Sequence, residues 1–302
     1  MKRVINFMAV RHLAFVLTML LTVASLASLA VKGLNFGLDF TGGTLVELTY
    51  ETPVPLDQIR GQLSESGFEN ALVQSFGATT DVLIRMPGAD PRLGERIAES
   101  LREYEVGGDI VVKRAEFVGP SVGEELRDQG GLGMLLALGG ILIYVAFRFQ
   151  WKFGVGALLS LFHDVIVVLG VFSFFEISFD LTVLAAVLAV IGYSLNDTIV
   201  IFDRIRENFR LLRRAELIEN INISTTQTLL RTLATSVSTL LAVAALMFFG
   251  GENLWGFSLA LMIGVGAGTY SSVYIASIFL IWLKLSRDDL IPPVVEEVDE
   301  RP

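Results

Sequence analysis

Six long apolar runs dominate this chain: His12 to Val31, Leu132 to Phe147, Phe153 to Phe175, Leu181 to Phe202, Leu233 to Phe249 and Trp255 to Leu283. A bilayer core about 30 Å thick takes roughly 20 such residues as helix. Lipid offers no partner to a backbone amide, so runs of this length cross as helices. The 302 residues are 53% hydrophobic and 18% charged, with a mean hydropathy of +0.61, too apolar for an ordinary soluble domain. The first run follows Lys2 and Arg3 and passes Ser28-Leu29-Ala30, as a signal peptide would. It exceeds the roughly 7 to 15 residues of a signal-peptide core, which makes it a retained helix. The chain has no Cys, which excludes disulfides, thiolate metal sites and cysteine nucleophiles.

Basic residues orient the spans. Outside the long segment after the first run, Lys2, Arg3, Arg11, Arg148, Lys152, Arg204, Arg206, Arg210, Arg213, Arg214, Arg231, Lys284, Arg287 and Arg301 fall on one side of a six-span plan. The short loops opposite, around Glu176 to Asp180 and Gly250 to Glu252, carry none. The positive-inside rule then makes both termini cytoplasmic. The plan reads 1–11 as a cytoplasmic N-terminus, 12–31 as the first span, 32–131 as an external domain, 132–283 as spans two to six with a basic cytoplasmic loop at 203–232, and 284–302 as a cytoplasmic tail. The tail acids Glu296, Glu297, Asp299 and Glu300, after Pro292-Pro293, suit a disordered segment.

The external segment holds nine basic and seventeen acidic residues, a net of −8, which argues against nucleic acid or an anionic lipid surface as its partner. Its pattern predicts a strand at Thr44 to Tyr50, a helix at Leu56 to Ser66, strands at Leu72 to Phe76 and Val82 to Met86 around a turn at Gly77 to Asp81, a helix at Pro91 to Tyr104 and a strand at Ile110 to Phe117. That βαββαβ order is the ferredoxin-like split unit, an α+β fold that names no function. Two segments bracket it: Gly37-Leu38-Asp39-Phe40-Thr41-Gly42-Gly43 and Val118-Gly119-Pro120-Ser121-Val122-Gly123. They read either as hinges built on Asp39, Gly42, Gly43, Gly119, Pro120 and Gly123, or as tight turns. No GxxxxGK[ST] pattern occurs, so no bound nucleotide is expected, nor any other cofactor.

Only Asp164 and Asp197 lie well inside spans, beside His163 and Asn196. A carboxylate at a helix centre costs about 2.5 to 3.5 kcal/mol on insertion scales, so it faces helices, water or a partner. Two readings stand: polar glue between spans, or proton handling. For the second, Arg231 at the start of the fifth span is the candidate partner of Asp197 near the end of the fourth; it also reads as a snorkelling anchor. Asp164 is a secondary member. His163 has only His12 as a fellow imidazole, in another span, so no metal is expected. Gly264 and Gly268 form a GxxxG on the sixth span and Gly192 is a small residue on the fourth, all suited to helix packing. Ile205 to Ser224, with Arg206, Arg210, Arg213 and Arg214 beside Phe209, Leu211 and Leu212, reads as an amphipathic helix on membrane lipid.

The two glycine segments, Phe162-His163-Asp164-Val165, Ile191-Gly192-Tyr193-Ser194-Leu195-Asn196-Asp197-Thr198 and Phe202-Asp203-Arg204-Ile205-Arg206-Glu207-Asn208 resemble motifs of the bacterial SecD/SecF family, on its SecF side. With the six-span plan, the resemblance covers almost the whole chain. It implies the resistance-nodulation-division superfamily and an inner-membrane, multi-pass location with the large loop periplasmic. It implies that the position of Asp197 is the proton-responsive acid and that of Arg231 its partner, and that the proton gradient helps draw an unfolded polypeptide across the membrane. The partners it implies are SecD, the SecYEG channel, YajC and the translocating polypeptide. Rival readings are a passive assembly subunit, an intramembrane aspartyl protease using Asp164 and Asp197, and a small-molecule or lipid pump. No GxGD surrounds either Asp, and the external segment is short for a pump.

Overall fold

A computed structural model describes residues 4–287 and 289, apart from 77, 89, 105, 106, 213 and 214. Lys2, Arg3, Gly77, Arg213, Arg214, Arg301 and the acidic tail therefore lie outside the described residues. The chain divides into two compact units, one of Phe36–Gly133 with Ser178–Leu181, the other of Met1–Asn35, Met134–Ile177 and Thr182–Pro302.

The larger unit is helical. A short 3-10 turn (Phe7–Val10) leads into α1 (Arg11–Val31). It continues, beyond the smaller unit, with α5 (Pro120–Arg148) from Met134 on, α6 (Trp151–Phe174), α7 (Leu181–Leu211) from Thr182 on, α8 (Leu217–Phe249), α9 (Glu252–Val273) and α10 (Ile275–Trp282). Six helical segments are long and apolar enough to cross a membrane: Phe7–Val31, Pro120–Arg148, Trp151–Phe174, Leu181–Leu211, Leu217–Phe249 and Asn253–Trp282. The chain is thus a polytopic helical membrane protein. Phe149, Phe153 and Phe202 interlock at ring separations of 5.0 to 6.2 Å in the core that joins α6, α7 and α10.

The helices depart from the expected pattern at three places. α5 begins at Pro120, twelve residues before the apolar run, because Pro suits the first helical turn and polar turns such as Glu125 to Gln129 (2.7 Å) continue the helix without an apolar face. The expected surface helix over Ile205 to Ser224 is absent. α7 instead runs to Leu211 and α8 starts at Leu217, and the two extensions bind each other. Asn208 Nδ2 donates to Ser224 Oγ (2.8 Å) and Gln227 Oε1 (2.9 Å), and Asn220 Nδ2 to the Ile205 carbonyl (3.3 Å). Those buried amides pair across a helical hairpin, which a helix lying on lipid would leave unpartnered. The last apolar run is interrupted at Tyr274.

In the smaller unit, β1 (Asn35–Phe36) and α2 (Leu38–Thr41) precede β2 (Gly43–Tyr50), α3 (Leu56–Glu65), β3 (Leu72–Phe76), β4 (Ala78–Met86), α4 (Leu93–Arg102) and β5 (Ile110–Val118). The last four strands form one antiparallel sheet in the order β3-β4-β2-β5. Val46, Leu48 and Ile84 point to one face, where Ile59 and Leu63 of α3 and Ile97 and Leu101 of α4 cover them. The alternate residue Glu47 is 1% exposed on the other face, with Lys113 Nζ 3.9 Å away. The loop 178–181 belongs to this unit, through β6 (Ser178–Phe179), which pairs with β1. Two residues are too few to show alternation, so the sequence pattern gave no sign of β6.

Candidate functional site

Asp164 is fully buried where α6, α7 and α9 meet. Ser194 Oγ donates to its Oδ2 at 2.5 Å, Ser271 Oγ to the same atom at 2.7 Å, and His163 Nδ1 lies 3.1 Å from Oδ1. Gly268 permits this approach: a Cβ there would stand 3.0 Å from that of Ser194. A turn away, Ser272 Oγ meets Thr198 Oγ1 (2.8 Å) and donates to the Ser194 carbonyl (3.3 Å). Gly264 seats the same helix on α7, its added Cβ falling 2.1 Å from Val190 Cγ2. These serines escaped the sequence analysis, because a hydroxyl in an apolar run looks neutral. The usable signal was their spacing, Ser194 three residues before Asp197 and Ser271-Ser272 next after Thr269-Tyr270 beyond the GxxxG.

Asp197 lies one turn further along α7 and differs in one respect. It is 2% exposed, and its Oδ2 has no hydrogen-bond partner among the described residues. Arg231, on α8, is near enough for its charge to act on Asp197, although no ion pair joins them. Arg231 itself is exposed on the surface of the unit. Asn196 and Gly192 face away from both acids: each is exposed, and Gly192 has open space where a Cβ would stand. Asp164 and Asp197 thus share α7 as a neighbour but not a hydrogen bond. Among the described residues no group of three or more His, Cys, Asp or Glu is placed to hold a metal ion.

The glycine segments meet in the smaller unit. Gly42 and Gly43 hold φ of +64° and +108°, open to glycine at no steric cost. A Cβ on Gly42 would come 2.9 Å from Pro120 Cα, one on Gly43 2.5 Å from the Met86 carbonyl oxygen, and one on Gly123 2.8 Å from Gly42 N. Gly119 has no such crowding. Asp39 Oδ2 accepts from the Leu181 amide (3.0 Å), the first of α7. Nearby, Gly37 N donates to the Phe179 carbonyl (2.8 Å), Phe36, Phe40 and Phe179 cluster, and Arg85 bonds Ser178 Oγ and the Phe36 carbonyl.

Comparison with known proteins gives these motifs a lineage. Residues 97–286 match the family model "Protein export membrane protein SecD/SecF, C-terminal", and 27–54 match the "SecD/SecF GG Motif". Protein translocase subunit SecF of Pseudomonas aeruginosa is 68% identical over 299 residues, covering 99% of this chain and 98% of that one. The SecF subunit of Escherichia coli O157:H7 is 45% identical over 301 residues, covering 98% and 93%. Among solved structures, SecDF from Thermus thermophilus, a translocon-associated membrane protein, aligns with a TM-score of 0.83 at 40% identity over 94% of this chain. The alignment spans 39% of the SecDF chain. By motif, sequence and fold, the chain belongs to the SecD/SecF family of protein export membrane proteins.

Proposed function

We propose that this subunit of the protein-export machinery couples the proton gradient to polypeptide movement through Asp197, and that SecD supplies the other membrane half. The observation that carries the reading is the Asp197 carboxyl, buried in a span with one oxygen undonated and a guanidinium within electrostatic reach. A buried ionised oxygen without a donor is costly, and gaining or losing a proton changes its interaction with every nearby charge. Each proton crossing a potential yields about 2.3 kcal/mol per 100 mV, enough to bias a conformational equilibrium.

α7 offers a mechanical path. It is one helix from Leu181 to Leu211, so the amide that Asp39 accepts and the Asp197 carboxyl ride on the same rod, about 24 Å apart. A shift of α7 on proton uptake is then felt at the Gly37–Gly43 segment. Gly42, Gly43, Pro120 and Gly123 act there as a pivot for the external domain. The sheet order β3-β4-β2-β5 supports a ferredoxin-like fold for that domain. Its edge strands β3 and β5 offer backbone groups to an unfolded polypeptide. The single-chain SecDF relative, of which this chain spans 39%, supports SecD as partner. The SecYEG channel, YajC, an inner-membrane location with cytoplasmic termini and a periplasmic domain complete the reading, with basic residues biased to one side of the spans.

The test is precursor export into membranes carrying Asp197→Asn, with complex abundance matched and the gradient imposed or collapsed. Export is expected to lose its gradient-dependent part while the complex stays intact. If that part survives, Asp197 is structural and the chain is a passive assembly subunit. A protease reading has little support: Asp164 Oδ2 is occupied by two serines and shares no hydrogen bond with Asp197.

A further inference from the structure

Where α1 begins and α10 ends, the membrane unit carries a shallow groove lined by Arg11, His12, Phe15, Ile278, Ile281 and Trp282. Its walls are tied by the ring of Phe15, which meets Trp282 edge-on at 4.6 Å, and Phe279 braces Trp282 at 5.3 Å. Trp282 remains 53% exposed. An exposed indole at the end of an apolar helix, level with basic residues, marks a membrane interface.

Arg11 spends one donor on the Met8 carbonyl (3.3 Å), and among the described residues neither Arg11 nor His12 has a carboxylate partner. Asp289, beyond α10, is taken by Lys152 (2.7 Å) and by the amide and hydroxyl of Ser286 (2.7 and 2.8 Å). A guanidinium fork with free donors at a membrane boundary suits a phosphate, which it can grip at two oxygens. The apolar side of the groove suits the upper part of an acyl chain. We propose that this groove binds one phospholipid with an anionic headgroup, its phosphate on Arg11 and His12 and its chain along Phe15, Ile278 and Trp282. A zwitterionic lipid presents the same phosphate but brings a cation beside Arg11, so the groove discriminates by net headgroup charge. The proposal is independent of proton coupling and of which leaflet the groove faces.

The experiment leaves Trp282 as the sole indole, through Trp151→Phe and Trp255→Phe in the full chain reconstituted in phosphatidylcholine vesicles. Quenching is compared for a small fraction of brominated phosphatidylglycerol and of brominated phosphatidylcholine. Phosphatidylglycerol is expected to associate at least about fivefold more strongly at Trp282, as one basic contact at a membrane surface would give. Arg11→Gln with His12→Gln should reduce that ratio to about one, and Arg11→Lys, which keeps the charge, should retain most of it. Equal quenching by the two lipids overturns the proposal, as does a preference that survives the double substitution. Soluble glycerol 3-phosphate should leave the preference intact. If it abolishes the preference, the groove is a site for free phosphate esters and the lipid assignment fails.

Discussion

Asp164 and Asp197 look alike in sequence, each one acid in an apolar run, and charge alone picked out both. What separates them is donor supply, which depends on the serines of α7 and α9 that packing brings together. Asp164 has both oxygens engaged, so removing its carboxyl strands the buried Ser194 hydroxyl, at about 1 to 3 kcal/mol, and leaves Ser271 Oγ with the Gly268 carbonyl alone. Asp197 has an oxygen with no donor to lose. Thermal unfolding of the purified protein should therefore show a clear drop in Tm for Asp164→Ala and little change for Asp197→Asn. The ranking of export defects in energised membranes should be different, with Asp197→Asn losing the gradient-dependent part. If Asp197→Asn destabilised the protein as much as Asp164→Ala, the two acids would share one structural role.

Elements were legible wherever an apolar period marked them. All six spans follow from the length of their apolar runs and the strands β2 to β5 from periodicity, whereas the polar first turns of α5, the α7 and α8 extensions and the two-residue β6 carry neither signal. Capping links β6's neighbour Leu181 to the Asp39 segment, a pairing across 142 residues that no local pattern reveals. Removing it with Asp39→Ala should weaken the first turn of α7 by about 0.5 to 2 kcal/mol, while Asp39→Asn keeps the acceptor. Hydrogen exchange at residues 181–184 should accelerate in the first variant and not in the second. Helix packing separates the glycines in the same way. Gly264→Ala drives a methyl into Val190 and should cost about 1 to 3 kcal/mol, whereas Gly192→Ala meets nothing among the described residues. Paired melting curves of the chain purified alone check that contrast.

On the scale of the whole molecule, the helices bury very different shares of themselves. Half or more of the apolar windows of α6 and α7 is buried, 56% in each, against 6% for α5 and 17% for α1 and α8. Much apolar surface therefore faces lipid or another protein, and composition along each face distinguishes the two. The outward face of α1 is Leu13, Val16, Leu17, Leu20 and Val23, which hydrocarbon solvates well. α7 instead exposes Ala185, Ala189, Gly192 and Asn196 at helical spacing, and α8 exposes Arg231. Small residues gain from a closely apposed helix and an amide or guanidinium gains from a polar partner, so that face is the one to test for the membrane half that we propose SecD supplies. The absence of Cys gives a clean background for single-cysteine variants. Ala189→Cys is expected to crosslink to a cysteine on a SecD span and to be shielded from a membrane-soluble maleimide only when SecD is co-expressed. Leu20→Cys should be labelled equally with and without SecD. Equal labelling of Ala189→Cys in both membranes would mean that lipid, not SecD, solvates the face carrying Gly192 and Asn196, and Asp197 would then complete its surroundings within this chain alone.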